Sequence, residues 1–136
     1  MSKPIPPISK YMTTTPHTIG VDQTLATAHR LMREHHFRHL PVLQGGRLVG
    51  MVTERDLALI ETLKDVDPTK VTVEDAMTPA PYTVAPTAVL DEVVATMAEH
   101  RYGSAVVVDN NHVVGVFTTV DAMVAFADLL HSRLAK

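Results

Sequence analysis

The sequence repeats itself without a gap. Residues 77–122, laid back by 65 positions, fall on residues 12–57 with 13 identities in 46 aligned positions. Met12 meets Met77, Thr13 meets Thr78, Pro16 meets Pro81, and Leu25 meets Leu90. Met32, Glu34 and His35 fall on Met97, Glu99 and His100. Val49, Gly50, Thr53 and Asp56 fall on Val114, Gly115, Thr118 and Asp121. Two copies of one small unit restrict the fold to a pair of related halves with related clefts. A half of roughly 60 residues barely supports a core alone, so the halves are expected to share one.

Both copies read as strand, helix, strand, strand, helix. A short extended piece spans 17–21 and 82–86, and a helix follows at 24–36 and 89–101. Leu25, Ala28, Leu31 and Met32 form its apolar stripe in the first copy, and Leu90, Val93, Val94 and Met97 do so in the second. Two apolar runs come next, 40–43 with 48–52 and 105–108 with 113–117. Gly45-Gly46 and Asn110-Asn111 stand between them and suit the positive φ angles of a tight hairpin. A closing helix starts at Thr53 or Thr118 and is expected to reach Lys64 or Leu134. Residues 65–72, with Pro68, read as a linker, and Thr72-x-x-Asp75 reads as a capping box opening the second copy. The fold class is α/β, and the apolar hairpins suit strands covered on both faces.

These residues resemble a tandem pair of CBS domains, the regulatory module named after cystathionine β-synthase. The markers are Met12-Thr13 and Met77-Thr78, then Arg38-His39-Leu40-Pro41-Val42 and Gly103-Ser104-Ala105-Val106-Val107. Last come Gly50-Met51-Val52-Thr53-Glu54-Arg55-Asp56 and Gly115-Val116-Phe117-Thr118-Thr119-Val120-Asp121. Two complete sets in register cover nearly the whole chain. The resemblance implies two β-α-β-β-α repeats packed as a pseudo-twofold pair. It places domain one at 8–64, the linker at 65–72 and domain two at 73–130. It also implies regulation without catalysis and two clefts for adenosine-containing ligands: AMP or ATP first, with NAD and S-adenosylmethionine also in the class.

The Thr-x-x-Asp motif has a rationale of its own. Thr after a buried strand becomes a helix N-cap, and Asp at the third position complements the helix dipole. The same geometry suits phosphate oxygens, and a carboxylate there suits the hydroxyls of a ribose. Capping and binding are compatible readings. Carried over by resemblance, the Asp56 cleft takes Ala80, Tyr82 and Tyr102 around the base. Thr53, Arg55 and Asp56 hold its ribose and phosphate, with Arg38 and His39 nearby. The Asp121 cleft takes Thr15, His17, Phe37 and Arg38 around the base, with Gly103, Ser104, Thr118 and Asp121 on the sugar side. Arg38, His39 and Arg55 become Gly103, Ser104 and Val120 in the second copy. Guanidinium pairs strongly with phosphate and valine does not, so the Asp56 cleft is the expected phosphate site.

Other features exclude functions. With no cysteine there is no disulfide, thiolate metal site or thiol nucleophile. A net charge of −3 and few aromatics argue against nucleic acid and anionic membrane. No run is long and apolar enough to span a bilayer, and the proline-bearing start does not look like a signal peptide, so the expected location is cytoplasmic. Eight histidines invite a metal reading. His35 and His36 point different ways on a helix, however, and no metal is expected. Asp56 and Asp121 lie 65 residues apart and form no acid–base dyad, so no enzyme is expected.

The chain therefore reads as a regulatory adenine-nucleotide sensor acting on an unidentified effector protein. The rival is a dimerisation or scaffold module with vestigial clefts, favoured if Tyr82, Tyr102 and Phe37 fill them. A homodimer is expected through apolar helix faces at 58–63 (Leu59, Ile60, Leu63) and 123–130 (Val124, Phe126, Ala127, Leu130).

Overall fold

The computed structural model describes residues 4–14 and 17–133. Its strands are β1 (Thr13–Thr14), β2 (Ile19–Gly20), β3 (His39–Gln44), β4 (Arg47–Thr53), β5 (Thr78–Pro79), β6 (Thr83–Val84), β7 (Ser104–Asp109) and β8 (His112–Thr118). The helices are α1 (Leu25–His35), α2 (Glu54–Ile60), α3 (Leu90–His100) and α4 (Thr119–Arg133), with 3-10 turns at Ile8–Lys10 and Val73–Asp75. Each repeat thus carries the expected β-α-β-β-α order. The hairpins close through Gly45, Gly46, Asn110 and Asn111, with φ of 57°, 80°, 51° and 65°. These are the left-handed values a two-residue turn of this kind demands.

The chain forms two compact units, one of residues 17–81 and the other of residues 4–14 with 82–133. In the first unit the sheet order is β2-β3-β4-β5, with β2 parallel to β3 and the other pairs antiparallel. In the second unit it is β1-β8-β7-β6, with the matching directions. Thr78 pairs with Met51, and Thr13 pairs with Val116, its equivalent 65 residues on. The segment leading into each sequence repeat therefore completes the sheet of the other. Ile8 is fully buried with Val93, Met97, Ala105, Val107 and Phe117. Val73, its counterpart, is fully buried with Leu25, Leu40, Val42, Val52 and Leu57.

Two glycines make the exchange fit. A Cβ on Gly50 would collide with the Met77 sulfur and lie 3.0 Å from the Thr78 carbonyl oxygen. On Gly115 it would lie 2.8 Å from the Met12 sulfur and 2.9 Å from the Thr13 carbonyl oxygen. Each Met-Thr pair and each motif glycine are thus two sides of one close strand contact.

Several expectations need correction. Each unit has its own buried cluster, completed by an exchanged leading segment. Residues 65–72 are more than a linker. Val66 and Val71 pack on the first core, and the carbonyls of Pro68 and Val71 accept the amides of Ala26 and Leu25 at 2.9 and 3.0 Å. Helix α2 stops at Ile60, short of Lys64, and Ile60 packs on the core instead of facing outward. The Thr72 side chain caps nothing: its carbonyl accepts the Asp75 amide at 3.1 Å, closing a single 3-10 turn. Thr24 does cap α1, accepting the Thr27 amide at 3.2 Å. In α3 the stripe is narrower than expected, because Val94 is exposed.

Candidate functional site: two Thr-x-x-Asp motifs

Strand register builds the first motif. His39 lies directly opposite Thr53, which places both side chains on one face of the sheet at its end. Thr53 has extended backbone angles and leads straight into α2, so its hydroxyl meets the first turn. The Thr53 hydroxyl accepts the Asp56 amide at 3.0 Å, and Asp56 Oδ2 accepts the Thr53 amide at 2.9 Å. That is a reciprocal capping box, as the sequence implied. The Arg38 carbonyl takes the Glu54 amide at 3.0 Å. Oδ1 of Asp56 takes no hydrogen bond among the described residues. Arg55 is exposed, and Arg38, 82% exposed, has its Nε 3.8 Å from a Glu54 carboxylate oxygen. A surface pair at that distance holds little energy, so Arg38 stays available to an anion.

The second motif copies the backbone and changes the surroundings. Ser104 lies opposite Thr118, and the Gly103 carbonyl takes the Thr119 amide at 3.3 Å. Asp121 Oδ2 accepts the Thr118 amide at 2.9 Å and the Thr118 hydroxyl at 3.2 Å. The Asp121 amide reaches the Thr118 hydroxyl at 3.3 Å, so this box is looser. A further donor arrives from β1: the Thr13 hydroxyl sits 3.1 Å from Oδ1 and 3.2 Å from Oδ2. Its counterpart Thr78 makes no such bond to Asp56 among the described residues. Where the first motif has Arg55, this one has Val120, 69% exposed.

Each unit also carries a set of stacked rings at matching positions. In the first unit His17 and His35 stack with centroids 3.9 Å apart, and Phe37 lies 5.3 Å from His17. In the second, Tyr82 stacks on Tyr102 at 5.2 Å and His100 on Tyr102 at 5.1 Å. Flat π-faces of this kind are the usual partners of a purine ring.

The expected site residues are therefore placed as follows. Arg38, His39, Thr53, Arg55 and Asp56 gather at the β4–α2 junction, and Gly103, Ser104, Thr118 and Asp121 at the β8–α4 junction. Ala80 does not join the first group. Its amide reaches the Val49 carbonyl at 3.3 Å, four residues back along β4 from Thr53, or roughly 13 Å. Tyr82 and Tyr102 belong to the second unit, while His17 and Phe37 belong to the first. Thr15 lies outside the described residues. Three residues outside the expected set contact these groups: Thr13, His35 and His100. The repeated Met-Thr and the His35–His100 identity were the signals for them. Among the described residues no three His, Asp or Glu side chains converge as a metal site would require.

Known proteins can now be set beside this geometry. The chain is 33% identical to the CBS domain-containing protein YhcV of Bacillus subtilis over 113 residues, 83% of this chain and 80% of that one. It is 31% identical to hypoxic response protein 1 of Mycobacterium tuberculosis over 104 residues, 76% of this chain and 73% of that one. Among solved structures, it is similar to the CBS domain pair of protein MJ0100, crystallised with 5′-methylthioadenosine and S-adenosyl-L-methionine. The TM-score is 0.79 at 26% identity, covering 93% of this chain and 99% of that one. The CBS domain profile matches twice, at residues 8–60 and 73–128. The chain belongs to the CBS domain family.

Proposed function

We propose that this protein is a regulatory sensor whose Thr-x-x-Asp motifs bind an adenosine-containing ligand, AMP or ATP first. The observation that carries the reading is the Asp56 carboxylate. It is fixed by its capping box through one oxygen, its other oxygen takes no hydrogen bond among the described residues, and Arg55 is its neighbour in sequence. The adenosyl ligands of the MJ0100 pair support the ligand class. In the reading, Asp56 and Thr53 take the sugar, and Arg55, Arg38 and His39 the phosphates. Asp121, Thr118, Ser104 and Gly103 form the weaker sugar side of a second site. Ligand acts by its differential affinity for one arrangement of the protein, and a partner reads the change. Melting the protein with AMP, ATP, NAD and S-adenosylmethionine tests this. A ligand of the native state raises the midpoint, and four unmoved midpoints overturn the reading. No turnover of these ligands is expected; hydrolysis that disappears in Asp56→Asn would mark an enzyme instead.

The partner includes a second copy in this reading. Leu59 and Leu63 in one unit are 70 and 61% exposed, and Val120, Met123 and Phe126 in the other are 69, 67 and 54% exposed, apolar patches that self-association would cover. Sedimentation should give a dimer that Met123→Glu with Phe126→Glu dissociates.

A further inference from the structure

We infer that Thr13 is a latch on Asp121: its hydroxyl occupies the carboxylate that a ribose needs, making this motif the weaker of two sugar sites. The inference rests on the nucleotide reading above but adds a cause independent of phosphate. Asp121 accepts from three donor groups: the Thr118 amide, the Thr118 hydroxyl and the Thr13 hydroxyl, the last spanning both oxygens. Among the described residues Asp56 accepts from one, the Thr53 amide. The source of the difference is local. Thr13 pairs with Val116, two residues before Thr118 and on the same face of β8. Thr78 stands in the same register beside Met51, yet among the described residues its hydroxyl makes no bond to Asp56. A nucleoside entering at Asp121 must first break the Thr13 contact, whereas at Asp56 it meets no such threonine contact among the described residues. Thr13 is exposed, so the latch is displaceable, and its loss should tighten the site by about three- to tenfold. The Arg55-to-Val120 difference acts only on ligands carrying phosphate. The Thr13 latch acts equally on adenosine.

Two measurements on the full chain test it. In ligand-free protein, a double-mutant cycle in denaturant between Thr13→Val and Asp121→Ala should give a coupling that the Thr78→Val and Asp56→Ala cycle lacks. Calorimetry in an Asp56→Asn background then isolates the second motif. Thr13→Val should strengthen adenosine and AMP by the same three- to tenfold, Thr13→Ser should restore the wild-type value, and Thr78→Val should change nothing. Zero coupling in the first cycle overturns the latch. So does weaker binding in Thr13→Val, which would make Thr13 a ligand contact. If no nucleoside binds any form, the nucleotide reading falls, and the cycle alone decides whether the latch exists.

Discussion

The two units share a backbone and differ in what they do with it. Register, bulge position and turn geometry are carried over residue for residue: the irregularity between Val42 and Leu43 recurs between Val107 and Val108. The side-chain environments have diverged. Val52 and Phe117 occupy the same buried position. Helix α2 stops at Ile60 and the chain returns along α1, whereas α4 continues to Arg133. The first unit ties α1 to the end of α2 by His29 and Glu61 at 2.8 Å; the second ties α4 to its N-terminal segment by Tyr11 and Asp128 at 3.0 Å. Backbone pairing tolerates almost any apolar side chain, so duplication preserves it. Individual polar contacts depend on single residues and drift apart.

The core offers the largest test of that divergence. Phe117→Ala should cost about 3–5 kcal/mol, through lost burial and a cavity. Val52→Ala removes two carbons and should cost about 2 kcal/mol. Denaturant midpoints at constant slope would measure both. Equal costs would mean that the second unit collapses around the missing ring, and that the two cores are alike despite their different side chains.

The nucleotide contrast comes next. Losing a charge-assisted contact costs about 1.5–3 kcal/mol, or roughly ten- to a hundredfold in affinity. Arg55→Ala should weaken AMP and ATP by that factor and hardly change adenosine. Asp56→Ala should weaken all three, since the ribose is common to them. Calorimetry that finds the tight site lost in Asp121→Ala and intact in Arg55→Ala would reverse the assignment of the two motifs.

What could be read from the sequence follows from the same division. Local features were legible because they are local. Gly45-Gly46 and Asn110-Asn111 announce turns, Thr53-x-x-Asp56 announces a cap, and the 65-residue offset aligns every strand. The exchange of leading segments was not legible. Ile8 and Val73 are equivalent apolar residues, and nothing in a linear repeat says which copy's core each one fills. The same ambiguity turned residues 65–72 into a linker, although Val66 and Val71 pack on the first core. Thr13 was visible as half of a repeated pair. Its bond to Asp121 depends on that exchange, so the sequence could not show it.

Capping gives a smaller contrast. An N-cap threonine replaced by alanine costs about 1 kcal/mol. Thr53→Ala should approach that value, because its hydroxyl meets the Asp56 amide at 3.0 Å and, among the described residues, only the Thr53 amide otherwise holds the Asp56 carboxylate. Thr118→Ala should cost less. Its own bond is longer, at 3.3 Å, and Thr13 still anchors the Asp121 carboxylate. Chemical denaturation of the two variants would decide, and a larger loss for Thr118→Ala would contradict the role given to Thr13.

The smallest expected difference is in pH response, and the two units should face opposite ways. Desolvation raises the Tyr11 phenol above its ordinary value, helped by the hydrogen bond to Asp128 and by that carboxylate's charge. The folded state therefore favours the protonated phenol. Its contribution is complete below about pH 10 and is lost as pH rises through the folded value. The position equivalent to Tyr11 in the first unit is Ala76, so no matching alkaline weakness exists there. That unit instead holds Asp67, whose carboxylate accepts the Thr69 hydroxyl at 2.7 Å and the Thr69 amide at 2.9 Å. Those bonds, the hydroxyl's first, lower its pKa. The Asp67 contribution is present above about pH 4 and is lost as pH falls through the folded value. Tyr11→Phe should flatten the decline of the melting point between pH 9 and pH 11 without touching the acid side, and Asp67→Ala should do the reverse. Hydrogen exchange should place the alkaline opening at α4 and the acid opening at the 65–71 segment. A Tyr11→Phe curve that superimposes on wild type above pH 9 would mean that the bond to Asp128 adds nothing to the second unit, leaving its helix held by apolar packing alone.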